Sequence, residues 1–232
     1  MKVLAIIPAR GGSKEIPKKN LRKLDGKPLI EYTISAAKNS KLISKIIVST
    51  DDKKIAKISE LLGVDVPFLR PKNISQDNSK TLDVINHSIA FLKNSQDYIP
   101  DIVILLQPTS PLRTTRDIDK SIQLLKQKKC SSVVSVKKIK EHPNAAFKLS
   151  KKNLKPVMKN FEQFYQRQKF PDLFFPTGGI YTFWYETLKN TKNIYGSQII
   201  PLIISDESMI DIDNSLDFFI CESIIINQKK IM

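Results

Sequence analysis

The sequence predicts an α/β fold, a doubly wound and mostly parallel sheet, and three observations carry that prediction. Several apolar runs show no polar alternation, as strands buried on both faces require. The stretches between them place apolar residues at helical spacing. Strand-like and helix-like segments then alternate along the chain, the order that builds a parallel sheet with helices on both sides.

Each element follows from its residues. Val3–Ile7 is a continuous apolar run and reads as the first strand. Pro28–Lys38 opens on a proline, which suits the first turn of a helix. Ile46–Ser49 is a second strand, and Lys53–Leu62 a helix closed by Gly63, the residue best suited to a left-handed C-terminal turn. Val64–Leu69 reads as a short third strand. Thr81–Leu92 spaces Leu82, Ile85, Ile89 and Leu92 along one helical face. A strand at Asp101–Leu106, a helix at Asp117–Lys126 and a strand at Ser132–Val136 continue the pattern. It breaks between Lys137 and Pro176, where Pro143, Pro156, Pro171 and Pro176 punctuate a polar and aromatic stretch too long for a plain loop. This reads as a subdomain, 137–176, inserted in a single domain, 1–232. Gly179–Trp184 and Ile199–Ile204 restore strand character, and Leu216–Ile226 closes as a helix.

Composition narrows the function classes. With 41% hydrophobic residues in 232, the chain can bury a sizeable core, and no run approaches a membrane span. The apolar start of MKVLAIIPAR is cut by Pro8 and Arg10 before a signal-peptide core is complete, and two cysteines are too few for a disulfide framework. A soluble cytoplasmic protein is the expectation. The net charge of +15 suggests a polyanionic partner, yet 32 of the 38 basic residues are scattered lysines. Aromatic residues do not interleave with them as single-strand binding requires, which argues against the alternative of a non-catalytic nucleic-acid module.

The chemistry is expected beyond the carboxyl ends of the strands. After the first strand, Arg10, Lys14 and Lys19 surround Gly11, Gly12 and Ser13, a loop suited to phosphate groups and distinct from the Walker and dinucleotide-binding patterns. Asp52 follows a strand end and reads as a helix cap. In Gln107-Pro108-Thr109-Ser110-Pro111-Leu112-Arg113, two prolines stiffen a turn that presents Gln107, Thr109, Ser110 and Arg113 to a ligand. Asp211 and Asp213 alternate with Ile210 and Ile212, so both carboxylates share one face and suit Mg²⁺ with substrate phosphates.

On these residues the sequence resembles the N-acylneuraminate (sialic acid-type) cytidylyltransferases, the CMP-nonulosonic acid synthetase family. The resemblance runs nearly the full length and rests on "LAIIPARGGSK" and "IPKKN" at 4–20, "IIVSTDD" at 46–52, "FLRP" at 68–71, "LLQPTSPLR" at 105–113, "PTGGIY" at 176–181 and "IDID" at 210–213. It implies a Rossmann-like nucleotidyltransferase sheet and a cytidylyltransferase that joins CMP from CTP to a nonulosonic acid for surface glycan biosynthesis. Arg10, Ser13, Lys14, Lys19 and Asn20 would hold the CTP phosphates, Gly11 and Gly12 would bring backbone to them, and Arg70 would approach the cytosine. Gln107 would contact the sugar acid, Thr109, Ser110 and Arg113 would frame its pocket, and Tyr181 would line it. Asp211 and Asp213 would bind Mg²⁺ and, with Lys19, serve catalysis. The 137–176 segment would be a dimerisation arm, making a homodimer in which Arg167 serves the neighbouring subunit. The sequence departs from sialate enzymes at Phe175-Pro176-Thr177-Gly178-Gly179 and at Asn144-Ala145, where the sugar is read. Neuraminic, legionaminic and pseudaminic acids therefore all stay open, as does another sugar acid such as 3-deoxy-manno-octulosonate.

Overall fold

A computed structural model describes residues 1–158, 170–205 and 210–231. In chain order the elements begin with β1 (Val3–Pro8), the small hairpin β2 (Lys23–Leu24) and β3 (Lys27–Pro28), α1 (Leu29–Lys38), β4 (Lys45–Ser49), α2 (Lys53–Leu61) and α3 (Thr81–Gln96). β5 (Ile102–Leu106), α4 (Thr115–Gln127) and β6 (Ser132–Lys138) follow. The hairpin β7 (Phe147–Ser150) and β8 (Asn153–Pro156) precedes β9 (Phe174–Trp184), α5 (Tyr185–Thr191), β10 (Ile199–Ile203) and α6 (Ser215–Ile231).

Six strands form one sheet in the order β10-β6-β9-β5-β1-β4. β1 runs parallel to β4 and β5, and β10 parallel to β6. Only β9 is antiparallel, pairing with β5 on one side and β6 on the other. The continuous apolar runs are buried on both faces, as their composition requires. Val3, Ala5 and Ile7 join Ile30 and Ile34 of α1 and Ile118, Ile122 and Leu125 of α4 in one core. Leu4 and Ile6 pack instead with Ile85, Ile89 and Leu92 of α3 in the other. A third cluster unites Ile16, Leu24, Leu29 and Ile212 with Phe218, Cys221 and Ile225 of α6. It fastens the C-terminal segment to the loop after β1.

Local chemistry sets the helix starts. The Asp52 carboxylate accepts from the Lys54 and Ile55 amides and caps α2, as the sequence indicates. α4 begins two residues earlier than its apolar periodicity suggests, because Thr114 and Asp117 cap each other reciprocally. Val64–Leu69 does not become a strand. It forms two isolated bridges, Ile47↔Asp65 with β4 and Thr50↔Leu69 just beyond it, and Pro67 between them has no amide to donate.

The described parts of 137–176 are more regular than their composition suggests, since they hold the β7–β8 hairpin and the beginning of β9. The pairing of β9 with β6 jumps from Val134↔Tyr181 to Val136↔Pro176. Thr177 to Ile180 therefore bulge opposite Ser135, whose hydroxyl accepts the Ile180 amide at 2.9 Å and lies 2.7 Å from the Thr177 hydroxyl. This bulge takes Gly178 out of the ladder, beside Asp211 and Gln107 at the carboxyl end of β5. Among the described residues, no helix is long and apolar enough to cross a membrane.

Candidate active site

A cavity of about 380 Å³ opens beyond the ends of β1 and β5, and Arg10, Ser13, Lys14, Lys19, Asn20, Arg70, Gln107, Thr109, Asp211 and Asp213 all line it. Four separated stretches of sequence thus meet at the edge where an open α/β sheet binds its ligands. A neighbouring cavity of about 270 Å³ shares Thr81 and Gln107 with the first and adds Tyr181, Asn193, Ile194 and Tyr195.

The loop after β1 is held from both sides. Ala9 donates its amide to Ser49 O at 2.9 Å, and the buried Asn20 donates from Nδ2 to Arg10 O at 2.9 Å. Lys18 is left-handed, with φ 53°, and turns the chain into the 3-10 turn Lys19–Leu21. Lys19 then reaches across the cavity floor, donating from Nζ to Ile212 O at 2.6 Å with Asp213 Oδ1 at 3.7 Å. Gly11 and Gly12 lie outside the cavity lining. The Gly11 amide donates to Asp51 Oδ1 at 2.9 Å, and a Cβ on Gly11 would lie 2.8 Å from Asp52 Cβ. The tight approach at Gly11 is to the protein's own carboxylates, and Gly12 faces open space.

Each cation already faces an acid. Arg10 and Lys14 share the carboxylate of Asp77, with Lys14 Nζ 2.7 Å from Oδ2. Arg70, with a buried side chain, lies 3.7 Å from Asp51 Oδ1. Burial lowers its pKa and Asp51 opposes that shift. Arg70 lines the cavity, and its Nε and Nη2 are buried without a hydrogen-bond partner among the described residues.

Arg113 sits below the site, where the sequence reading expects it to frame the pocket. Its guanidinium is buried and donates to Gln107 O at 3.2 Å, Gly179 O at 2.5 Å and Thr33 Oγ1 at 2.6 Å. Burial brings its pKa down to about 10, while Asp117 and Asp211 act in the opposite sense. It ties the end of β5 to the β9 bulge. The length of the side chain and its planar fork explain the discrepancy: they carry its terminal nitrogens to two carbonyls and the Thr33 hydroxyl, while Nε is buried without a partner among the described residues. Ser110 is also buried outside the cavity lining. Tyr181 lines the second cavity, edge-on to Tyr195 with ring centroids 6.2 Å apart. Burial pushes its pKa up to about 12. Arg167 lies outside the described residues.

The two aspartates line the same cavity beside Lys19. Ile212 is fully buried and donates its amide to Thr109 O at 2.8 Å, which turns Asp211 and Asp213 to the cavity side. Burial raises the Asp211 pKa; the Thr109 hydroxyl lowers it, Asp213 raises it further and Lys19 lowers it. Asp211 Oδ1 is buried without a hydrogen-bond partner among the described residues. A buried, unpartnered carboxylate oxygen beside a second carboxylate fits a hard divalent cation. Among the described residues, no group of three or more His, Cys, Asp or Glu could hold a metal, so other ligands must complete any such site.

Sequence reasoning missed Asp77, Thr81, Asn193, Ile194 and Tyr195. All but Thr81 lie in loops without periodic pattern, and only Asp77's place seven residues after Arg70 marks it, as part of the same stretch. Comparison with known proteins agrees with the architecture. Residues 4–203 match the family described as cytidylyltransferase. The CMP-N,N'-diacetyllegionaminic acid synthase of Legionella pneumophila is 37% identical over the full length of both chains. An N-acylneuraminate cytidylyltransferase of Escherichia coli is 32% identical over 99% of this chain, which spans 53% of that relative. A solved structure of CMP:2-keto-3-deoxy-manno-octonic acid synthetase complexed with CTP has the same fold, with TM-score 0.73, 16% identity and coverage of 98% of this chain and 100% of that one. The sequence match extends through the whole sheet, from β1 to β10, and the chain belongs to the cytidylyltransferase family.

Proposed function

We propose that this enzyme transfers the cytidylyl group of CTP to the anomeric hydroxyl of a nonulosonic acid. The hydroxyl oxygen gives up its proton to solvent and bonds to the α-phosphorus, the bond from that phosphorus to the bridging oxygen breaks, and pyrophosphate leaves. One observation carries the reading: a single cavity is lined by Arg10 and Lys14, by Lys19 beside Asp213, and by Asp211, and it shares Gln107 with a second pocket. Such a transfer needs chiefly positioning and charge neutralisation. Arg10, Ser13 and Lys14 hold the β- and γ-phosphates in this scheme, with Asn20 fixing the loop from beneath and Arg70 beside the cytosine. Lys19, placed between the phosphate loop and Asp213, balances charge on the departing pyrophosphate. Gln107 and Tyr181 receive the sugar acid, with Thr109 at the boundary. Asp211 and Asp213 would hold Mg²⁺, which when bound supplies Lewis-acid polarisation of phosphate oxygens.

The protein acts as a homodimer in this reading, with 137–176 as the docking arm. Phe147, Leu149, Leu154, Phe174 and Phe175 are exposed there, an apolar surface of the kind that marks an interface. N,N'-diacetyllegionaminic acid is the first substrate to test, because the full-length relative carries that name. Pyrophosphate release is measured with CTP and a panel of legionaminic, pseudaminic and neuraminic acids and 3-deoxy-manno-octulosonate. Release with a nonulosonic acid is expected, and none with any of the three would overturn the assignment. Asp211→Ala should lower the rate by on the order of 10²-fold or more while leaving the circular dichroism spectrum intact. Full activity in that variant discards the metal role.

A further inference from the structure

We propose that Asp77 occupies the place of the substrate's terminal phosphates in the empty enzyme, so that CTP and pyrophosphate bind only by displacing it. The inference rests on the reading of the larger cavity as the CTP site. Asp77 Oδ1 takes Arg10 and Oδ2 takes Lys14, the two cations assigned to the β- and γ-phosphates. Two oxygens on one centre bridging two cations is the contact that a phosphate group makes. Carboxylate and phosphate therefore compete for the same donors, and like charges exclude both from occupying them together.

The surroundings suit an occupant that leaves. Asp77 lies on the connection between Arg70 and α3 and remains 43% exposed in its side chain. The nearby hydrogen bonds run within that connection: Ser79 N donates to Gln76 O at 3.1 Å, Gln76 N to Ser79 Oγ at 2.8 Å, and Ser75 Oγ to Pro71 O at 2.9 Å. The carboxylate can thus swing into water without breaking the sheet or opening a core. Its pKa is lowered, first by the hydrogen bond from Lys14 and then by that from Arg10, so it stays ionised while it holds them.

The consequence is selective. Ligands with a pyrophosphate portion must displace Asp77, whereas CMP ends at the α-phosphate and does not. Asp77 thereby weakens the hold on pyrophosphate after transfer and lets it leave.

Calorimetric titration of Asp77→Asn with CTP, pyrophosphate and CMP in magnesium buffer tests this. The variant keeps the size of the side chain and removes its charge. CTP and pyrophosphate should bind about tenfold more tightly, the gain expected when a competing state filling most of the free population is removed. CMP should bind as before, which also reports a folded cytidine pocket. Unchanged or weaker binding of CTP and pyrophosphate overturns the proposal. Arg10→Ala and Lys14→Ala separate it from the reading beneath it. If they weaken pyrophosphate binding but Asp77→Asn does not tighten it, only the role of Asp77 falls. If they leave CTP and pyrophosphate binding unchanged, the cavity is not the triphosphate site and both readings fall.

Discussion

At the scale of single residues, Gly178 shows how closely the site is built. It lies at φ +78°, and a Cβ there would stand 2.9 Å from Asp211 Oδ2 and 3.2 Å from Gln107 Oε1. Gly178→Ala pays about 1–2 kcal/mol for the left-handed backbone and also pushes on both groups. The variant should lower kcat by on the order of 10²-fold through misplacement alone. Thermal unfolding measured beside the kinetics should show the variant still folded at the assay temperature, so that the lost rate reports misplacement. The sequence marks this glycine only within the motif at 176–181, and the folded chain shows that its backbone approaches Asp211. Gly11 repeats the lesson against Asp52. Short polar loops announce that something must come close, and only the folded chain shows what. Arg113 fails differently: its spacing puts it in the right motif, while its burial beneath Gln107 and Gly179 depends on partners 66 and 80 residues away.

Elements were legible where burial leaves a periodic mark. β1, β5 and α3 follow directly from apolar runs and helical spacing, and the α2 cap follows from one acid after a strand. Asp52→Ala should cost about 1 kcal/mol, as for other N-terminal caps, seen as a lower midpoint in denaturant with an unchanged slope. An equal stability would mean that the two amides at Lys54 and Ile55 find water at no cost. The direction of β9 was not legible, because apolar pattern reports which faces are covered and not which way the chain runs. Its first five residues were also hidden, since Phe174 to Gly178 resemble the polar and aromatic segment they leave. Val64–Leu69 has the composition of a strand but lacks an amide at its middle, where pairing needs one.

For the molecule as a whole, the +15 charge proves to be a poor guide to the site. The cations there are already met by Asp51, Asp77 and Asp213, so most of the excess lies elsewhere on scattered lysines. Assembly is better argued from the arm, where Leu149 pairs across the hairpin with Leu154 and both are exposed. Leu149→Lys with Leu154→Lys should convert a dimer to a monomer in sedimentation velocity; a wild-type monomer at micromolar concentration would end the dimer reading. The central position of β9 bears on synthesis. β4, β1 and β5 can pair as soon as they emerge, but β6 has no neighbour until residues 174–184 arrive, and Ile102 waits about 80 residues for Trp184. During translation the open edges of β5 and β6 are the adhesive surfaces of the nascent chain. A ribosome that stalls before Trp184 releases a sticky half-sheet and a stray strand rather than a smaller protein.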